Sequence, residues 1–580
     1  MSDELFNEWP SPSSSFRSAP FWSWNSDLVP QRLTDEIQQM HDAGMGGFFM
    51  HSRYGLKTLY LGEEWFKCVQ ACAEQARALG MKAYIYDEDR WPSGAAGGLV
   101  TRPHKEYGLQ FLVAGQPGSA GPDAQRIALF AVRTDQQGNM LSYRQAQEGE
   151  PLEKGERLVS FDVKMQPPSA WINDAPYLDT MSADAVAEFI RVTHQAYADS
   201  SGKYFGDVIP AIFTDEPNYG WRARARGGFL PPDDTQKECP LLLPWTPHLL
   251  REFTQRCGYD LLAHLPEILW GKDGAQFSKV RYDYGRVTTE LFVENYSRQI
   301  GKWCARHNIN STGHLHENTL DIQVCAVGAS MPHYEHMQWP GIDILFDSAA
   351  ELTTAKQCSS VADQLGKERV LSELYGCTGW DWPLEGHKFG GDWQLACGVN
   401  FRCPHLTHYS LAGGAKRDFP ASIFTHSPWW KYYRAVEDYF GRLSYMLTQG
   451  EPLRDVLVIH PIETAWAVYS NEKFGMADSP VRPFTEGLFD IAFALSYSHR
   501  DWDFGDESLL AKYGKLDCNG LSVGNMTYKV VTVPPSLTLR STTVTLLKEF
   551  VAAGGKLVFV GTKPTHIDTK ETSEVADLIK

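Results

Sequence analysis

Two glutamates in this chain stand at the ends of short apolar runs: Glu216 in Ile212-Phe213-Thr214-Asp215-Glu216, and Glu373 in Val370-Leu371-Ser372-Glu373. A buried strand that ends in a carboxylate delivers it to the rim of a sheet, where desolvation favours the neutral acid. Two carboxyls flanking one bond are what glycoside hydrolysis requires. One is protonated to release the leaving group, and the other is ionised as nucleophile or as base for water. The same two residues could serve as rim ion pairs, so their surroundings matter.

Those surroundings are rich in groups that recognise hydroxyls. Asp87-Glu88-Asp89-Arg90-Trp91-Pro92-Ser93-Gly94 packs three acids, an indole and a turn into eight residues. Asp87 or Asp89 can accept paired hydrogen bonds from vicinal sugar hydroxyls while Trp91 stacks beneath the ring. His51 and Arg53 follow the apolar run Gly47–Met50, and Asp215 directly precedes Glu216. His314 and His316 are two residues apart and so share one face of a strand. Such a pair ligates a metal where carboxylates converge, and otherwise hydrogen-bonds to substrate or neighbours. Tyr375, Trp380, Asp381 and Trp382 follow Glu373, and His405 and His408 lie further on. The expected catalytic pair is therefore Glu216 and Glu373. Substrate contacts are expected from His51, Arg53, Asp87, Asp89, Trp91, Asp215, His314, His316, Tyr375, Trp380 and His405; no metal ligands are assigned.

Strands must carry these residues to one rim. Between residues 19 and 100, short β-like runs alternate with amphipathic helical patterns: strands over 19–25, 46–51 and 82–87, and helices opened by Pro30 and closed by Gly44 and Gly80. Repeated strand–helix units of this size argue for parallel βαβ connections. Residues from about 105 to 170 break the pattern with β-like runs and Gly/Pro turns, which reads as a β insertion. The units resume with a helix capped by Ser182 and a strand over 208–214. A long helix over 287–306 and strands over 311–316, 342–346, 369–374 and 400–408 follow, then a helix over 430–447. Eight such units make a (β/α)8 TIM barrel, whose functional groups gather at the C-terminal ends of its strands.

After Gly450-Glu451-Pro452 a second α/β pattern begins, with strands over 455–460, 529–533 and 556–560 and helices over 486–496 and near 546–551. This is the pattern of a flavodoxin or class I amidotransferase-like, doubly wound domain. The expected division is a barrel domain over 1–450 and an α/β domain over 451–580. Neither GxGxxG nor GxxxxGK[ST] occurs at its turns, and the chain has no GxSxG, which leaves nucleotide binding and acyl transfer without support.

Composition narrows the classes further. The chain has 580 residues, 43% of them hydrophobic, and carries 54 basic against 71 acidic residues for a net charge of −17. That balance repels a phosphate backbone, so no nucleic-acid partner is expected. No stretch approaches the ~18–20 apolar residues of a membrane span. The N-terminus has neither a basic nor an apolar leader segment, and the eleven Cys include no CxxC pair. A cytoplasmic protein with reduced thiols is the expectation. Aromatic residues make up 12% of the chain, including 18 Trp, an excess that suits pyranose rings as well as a core.

Taken together, Pro20-Phe21-Trp22-Ser23-Trp24-Asn25, Gly46–His51, Tyr86–Gly94 and Phe213-Thr214-Asp215-Glu216-Pro217 resemble the barrel motifs of glycoside hydrolase family 106, the α-L-rhamnosidase-type enzymes. The resemblance is dense over 19–100 and 180–220 and looser over 311–376. It implies that Glu216 is the general acid and Glu373 the base that activates water, with inversion. It also implies a calcium ion near the substrate hydroxyls, while no other cofactor is required. A barrel followed by a flavodoxin-like domain is similar, too, to family 42 β-galactosidases, which retain configuration and often form trimers through that domain. In that scheme Glu373 is the nucleophile and Glu216 the acid/base. The substrate is then a small carbohydrate, and a homo-oligomer through the C-terminal α/β domain is the corresponding expectation. A family 106 enzyme usually carries further β-sandwich domains, while this sequence closes on the charged segment Thr569–Lys580, so the sugar is less fixed than the fold. The competing readings are a metal-dependent sugar lyase or isomerase using His314, His316, Asp87 and Asp89, and a carbohydrate-binding protein without turnover.

Overall fold

The computed structural model describes residues 7–136, 138–221, 223–224, 240–271, 275–347, 351–469 and 479–578. Its central sheet is built from strands of two to six residues, all but Phe401–Pro404 followed by a helix or a longer loop. They are β1 (Phe21–Trp24), β2 (Gly47–Ser52), β3 (Lys82–Tyr86), β4 (Ala211–Thr214), β5 (Asn310–Gly313), β6 (Trp339–Ile344), β7 (Leu371–Leu374), β8 (Phe401–Pro404) and β9 (Thr407–His408). They pair in parallel in the order β8-β7-β6-β5-β4-β3-β2-β1-β9, a nearly closed barrel. The last barrel position, expected as one strand over 400–408, is two. β8 pairs with β7, and β9 crosses to pair with β1.

Alternation along each strand explains both layers of packing. Phe21, Phe49, Tyr84, Phe213, Leu371 and Phe401 point inward and fill the barrel interior. Trp22, Trp24, Phe48, Met50 and Ile85 point outward against Leu33, Ile37 and Met40 of the helix Pro30–Asp42 and Val69, Cys72 and Ala76 of the helix Glu63–Leu79. Gly80 ends the second helix at φ 68°, where a Cβ would be strained. Much of the aromatic excess is spent here: Trp22, Trp24, Trp65 and Trp502 are among the largest side chains that are fully buried.

Several boundaries differ from the sequence expectation. β6 begins at Trp339 and ends at Ile344, because Pro340 and Gly341, weak strand formers in isolation, pair with β5 and β7. The helix expected over 287–306 begins at Lys279 and passes through a π turn at Val293–Ser297 before continuing to Arg306. The helix capped by Ser182 divides at Thr193 into Ala183–Val192 and His194–Ser201. The insertion expected over 105–170 contributes four antiparallel strands, but its sheet has six. Leu241–Trp245 pairs with Gln110–Gly115 and carries Ala223–Arg224 at its edge. A partner more than a hundred residues away leaves no local signal.

The second sheet is parallel, with β10 (Val456–Ile459), β11 (Trp502–Gly505), β12 (Val530–Val533) and β13 (Lys556–Phe559) in the order β11-β10-β12-β13. This is the flavodoxin-type order, in which the first strand is flanked by the second and third. The sequence pattern did not single out β11 or the helix Ile462–Val468. That helix packs on Lys279–Phe292, and Trp466 donates through Nε1 to the Gly328 carbonyl at 2.8 Å. Arg454 pairs with Asp501 and Asp503 at 2.8 Å each, tying the linker to β11. Among the described residues, no helix is long and apolar enough to cross a membrane.

Candidate active site

The period of two that fills the barrel with apolar rings turns polar in one further step at the C-terminal end of each strand. Phe49 leads to His51, Phe213 to Asp215, Thr312 to His314, Gly341 to Asp343 and Leu371 to Glu373. These side chains form a layer above the aromatic floor. At its centre His314 Nε2 lies 3.0 Å from Asp215 Oδ1 and 2.9 Å from Glu373 Oε1. The Nδ1 of His314 is 2.9 Å from the Leu315 carbonyl, which can only accept, so Nδ1 carries a proton. Burial alone lowers the His314 pKa, but Glu373 and Asp215 outweigh it and hold the ring well above the usual imidazole value. The ring is thus an imidazolium shared by two carboxylates.

Asp215 is fixed a second time by the Tyr86 hydroxyl, which donates to Oδ2 at 2.6 Å. Glu373 is 3% exposed; burial raises its pKa and His314 lowers it, leaving it near 7. His405 Nε2 stands 3.8 Å from Glu373 Oε2, and burial and the Arg53 charge keep that ring neutral. Asp343, on the strand beside Glu373, has a buried Oδ1 without a hydrogen-bond partner among the described residues, while its backbone N–H donates to Glu317 Oε1 at 2.8 Å.

Glu216 occupies a different environment one residue beyond Asp215. Its side chain is 25% exposed, with Oε2 3.7 Å from His316 Nε2. Burial, then the neighbouring Asp215 charge, push its pKa up to about 8, so it holds a proton at neutral pH. Its backbone sits at φ 34°, a region that costs a non-glycine residue about 1 kcal/mol or more. Burial pulls His316 down to about 3, making it a neutral neighbour.

On the β2 side, the Arg53 guanidinium donates to both oxygens of Asp418, at 2.9 and 3.1 Å, and to His51 Nε2 at 2.9 Å. His51 stacks on Tyr86 at 3.7 Å. Arg53 also lies 4.2 Å from the centre of the Trp91 ring, which places Trp91 at the mouth. Arg53 is therefore spent on organising the wall.

Three expected substrate contacts, Asp87, Asp89 and Tyr375, are placed elsewhere. Asp87 lies below the layer, accepting from Ser93 Oγ at 2.5 Å, and that hydroxyl in turn accepts from the Asp215 backbone N–H at 2.8 Å. Asp89 accepts from Ser52 Oγ and Asn173 Nδ2 at 2.6 and 2.9 Å and fixes a loop. Tyr375 turns away from the mouth, 2% exposed, between Trp382, His387 and Arg402, because φ 82° redirects the chain after β7. Trp380 is 37% exposed on the following loop. The His314, His316, Asp87 and Asp89 metal set does not assemble. Tyr86 and Asp343 were legible as the next inward positions of expected strands, whereas Asp418 had no local signal.

One group among the described residues has metal-ligand spacing: Asp215, His314 and Glu373, with donor atoms within 4.8 Å of one another. Calcium takes about six to eight oxygen ligands. A single imidazole lying between two carboxylates does not fit that ion.

The alpha-L-rhamnosidase model of glycoside hydrolase family 106 matches residues 242–579. The chain belongs to this family. The matched segment contains Glu373 and the second sheet, while Glu216 lies before it. Over 346 residues the chain is 26% identical to a Formosa agariphila protein provisionally named a beta-glucuronidase, covering 57% of this chain and only 27% of that relative's length. In structure it is similar to a rhamnosidase from Novosphingobium sp. PP1Y, with TM-score 0.70 at 15% identity, over 100% of this chain and 72% of that one. A GH42 beta-galactosidase from G. stearothermophilus follows at TM-score 0.57 and 12% identity, over 97% and 74%. Another beta-galactosidase, from Rahnella sp. R3, gives 0.57 at 13%, over 95% and 72%. At these identities the structural likeness speaks for the fold alone.

Proposed function

We propose that this family 106 chain is a glycoside hydrolase that removes a terminal sugar, with Glu216 as proton donor to the departing oxygen and Glu373 as the base for water. The observation that carries this reading is the unequal environment of the two carboxyls. Both are raised, Glu216 to about 8 and Glu373 to about 7, but Glu216 is partly open beside the neutral His316, whereas Glu373 is deep with Oε1 2.9 Å from His314 Nε2. Two carboxyls that differ in exposure and in the charge of their neighbours form the arrangement that lets one act as acid while the other acts as base. Family membership favours direct attack by water, and so inversion. Asp215 and His314 hold Glu373 in place and share its charge. Asp343 offers its unpartnered oxygen to a substrate hydroxyl.

An α-L-rhamnoside, a neutral 6-deoxy sugar, suits the wall better than a uronide. The cations near the layer are already paired, Arg53 with both oxygens of Asp418 and His314 with Asp215 and Glu373, and a bound uronate needs one to spare. The test is a panel of nitrophenyl glycosides with Glu216→Gln and Glu373→Gln. Rhamnoside turnover that falls by about a thousandfold or more in Glu373→Gln, with KM little changed, supports the assignment. A loss under tenfold in both variants refutes it. NMR of the first anomer released separates inversion from retention.

Two further parts of the proposal are independent of the chemistry. A cytoplasmic location is supported by ten described cysteines without a disulfide. A homo-oligomer through the α/β domain is supported by Val551, Val558 and Val560, which lie exposed on its edge strand and adjoining helix. Sedimentation showing only monomer refutes the latter.

A further inference from the structure

We propose that Tyr54 and Trp171 form a subsite for the leaving group, a flat apolar ledge at the barrel mouth that receives the ring departing with the glycosidic oxygen. This rests on the hydrolase reading above. Trp171 lies in the short turn Ala170–Ile172, where the chain returns from the six-stranded sheet to the barrel, and Tyr54 lies in the loop after β2. Their rings are within 9° of parallel, with centroids 6.4 Å apart, against 3.7 Å for the closely stacked His51 and Tyr86. The two rings stack loosely, Arg90 lies 5.2 Å from the centre of the Trp171 ring, and Tyr54 is 59% exposed, so the open surface of the ledge is mainly that of Tyr54.

Trp171 is anchored, and a relay of ring contacts links it to the reacting groups. Trp171 Nε1 donates to the Trp91 carbonyl at 2.5 Å, and the two indoles meet edge to face at 4.7 Å. From Trp91 the contacts run to Phe419 at 5.8 Å, from Phe419 to His405 at 5.2 Å, and from His405 to Glu373 at 3.8 Å. The deep layer around Glu373 is hydrogen-bonded and charged, as hydroxyl recognition requires. The ledge instead presents aromatic faces, which take the C–H face of a pyranose or an aryl ring with little demand for its hydroxyl pattern. It follows that the chain is selective for the sugar it releases and tolerant of what that sugar was attached to.

The experiment compares three substrates of the sugar selected by the panel: the glycosyl fluoride, whose leaving group is one atom, a nitrophenyl glycoside and a disaccharide. In Tyr54→Ala and Trp171→Ala, kcat/KM on the fluoride should stay within about twofold of wild type. On the ring-bearing substrates it should fall about tenfold, mostly through KM, and Trp171→Phe should recover most of it. A loss on the aryl glycoside alone or the disaccharide alone assigns the ledge to that ring. Equal losses on all three substrates, or no loss on either ring-bearing one, overturn the proposal. Tyr54 is exposed, so its variant carries the test even if Trp171→Ala fails to fold. Wild-type protein that turns over none of the three refutes the hydrolase reading itself.

Discussion

Replacing Glu216 by Gln should destroy activity and stabilise the protein, and both effects follow from one proton. In the folded chain Glu216 keeps its proton up to about pH 8, whereas its ordinary value is 4.5. Between those values the folded state binds one more proton than the unfolded state, so its contribution to stability is complete below pH 4.5 and falls as pH rises towards 8. At about 1.4 kcal/mol per pH unit, the unfolded chain gains about 3 kcal/mol by ionising this carboxyl between pH 4.5 and 7. The 25% exposure of the side chain makes that figure a ceiling. Gln copies the neutral acid without the titration, so Glu216→Gln should be more stable than wild type at pH 7 by up to about 3 kcal/mol. The difference should shrink towards zero by pH 4.5. Urea unfolding at both pH values measures it through the shift in midpoint at constant slope. The same variant should lose about 10²–10⁴ in kcat on a glycoside with a poor leaving group, and much less on a dinitrophenyl glycoside whose departure needs no proton. A variant less stable than wild type at pH 7, or a stability difference independent of pH, would show that Glu216 is not held neutral by its site. Equal kinetic losses for good and poor leaving groups would show that it is not the acid.

Other consequences are simpler to state. His314→Asn removes the cation between Asp215 and Glu373, so the acid limb of the kcat/KM profile should move up by about 1–3 pH units; an unmoved limb means Glu373 is not the titrating base. Arg53→Met strands the half-buried Asp418 carboxylate and should cost up to about 3–5 kcal/mol, with partial recovery in Arg53→Met/Asp418→Leu, read by denaturant unfolding. Trp466→Ala empties the contact between the helix Ile462–Val468 and the barrel and should cost about 3–5 kcal/mol, visible as earlier loss of the α/β domain in limited proteolysis.

Local sequence determined a good deal of this protein. Apolar runs with a period of two, helices closed by glycine and a carboxylate at the end of β4 and of β7 are properties of adjacent residues, so the barrel, the second sheet and Glu216 with Glu373 could be read directly. The family motifs sharpened that reading through the same contiguous residues. What tertiary structure alone decided is which of the many rim groups face one another. Arg53 finds Asp418 across 365 positions of sequence. His314 bridges Asp215 and Glu373 because β4, β5 and β7 bend around one axis. Tyr375 leaves the site through a single positive φ, and Asp87 sinks beneath it. Proton affinities followed the same division, since burial and charge neighbours are set by strands distant in sequence. Glutamate as a residue type proposes an acid; only the folded surroundings decide which glutamate keeps its proton.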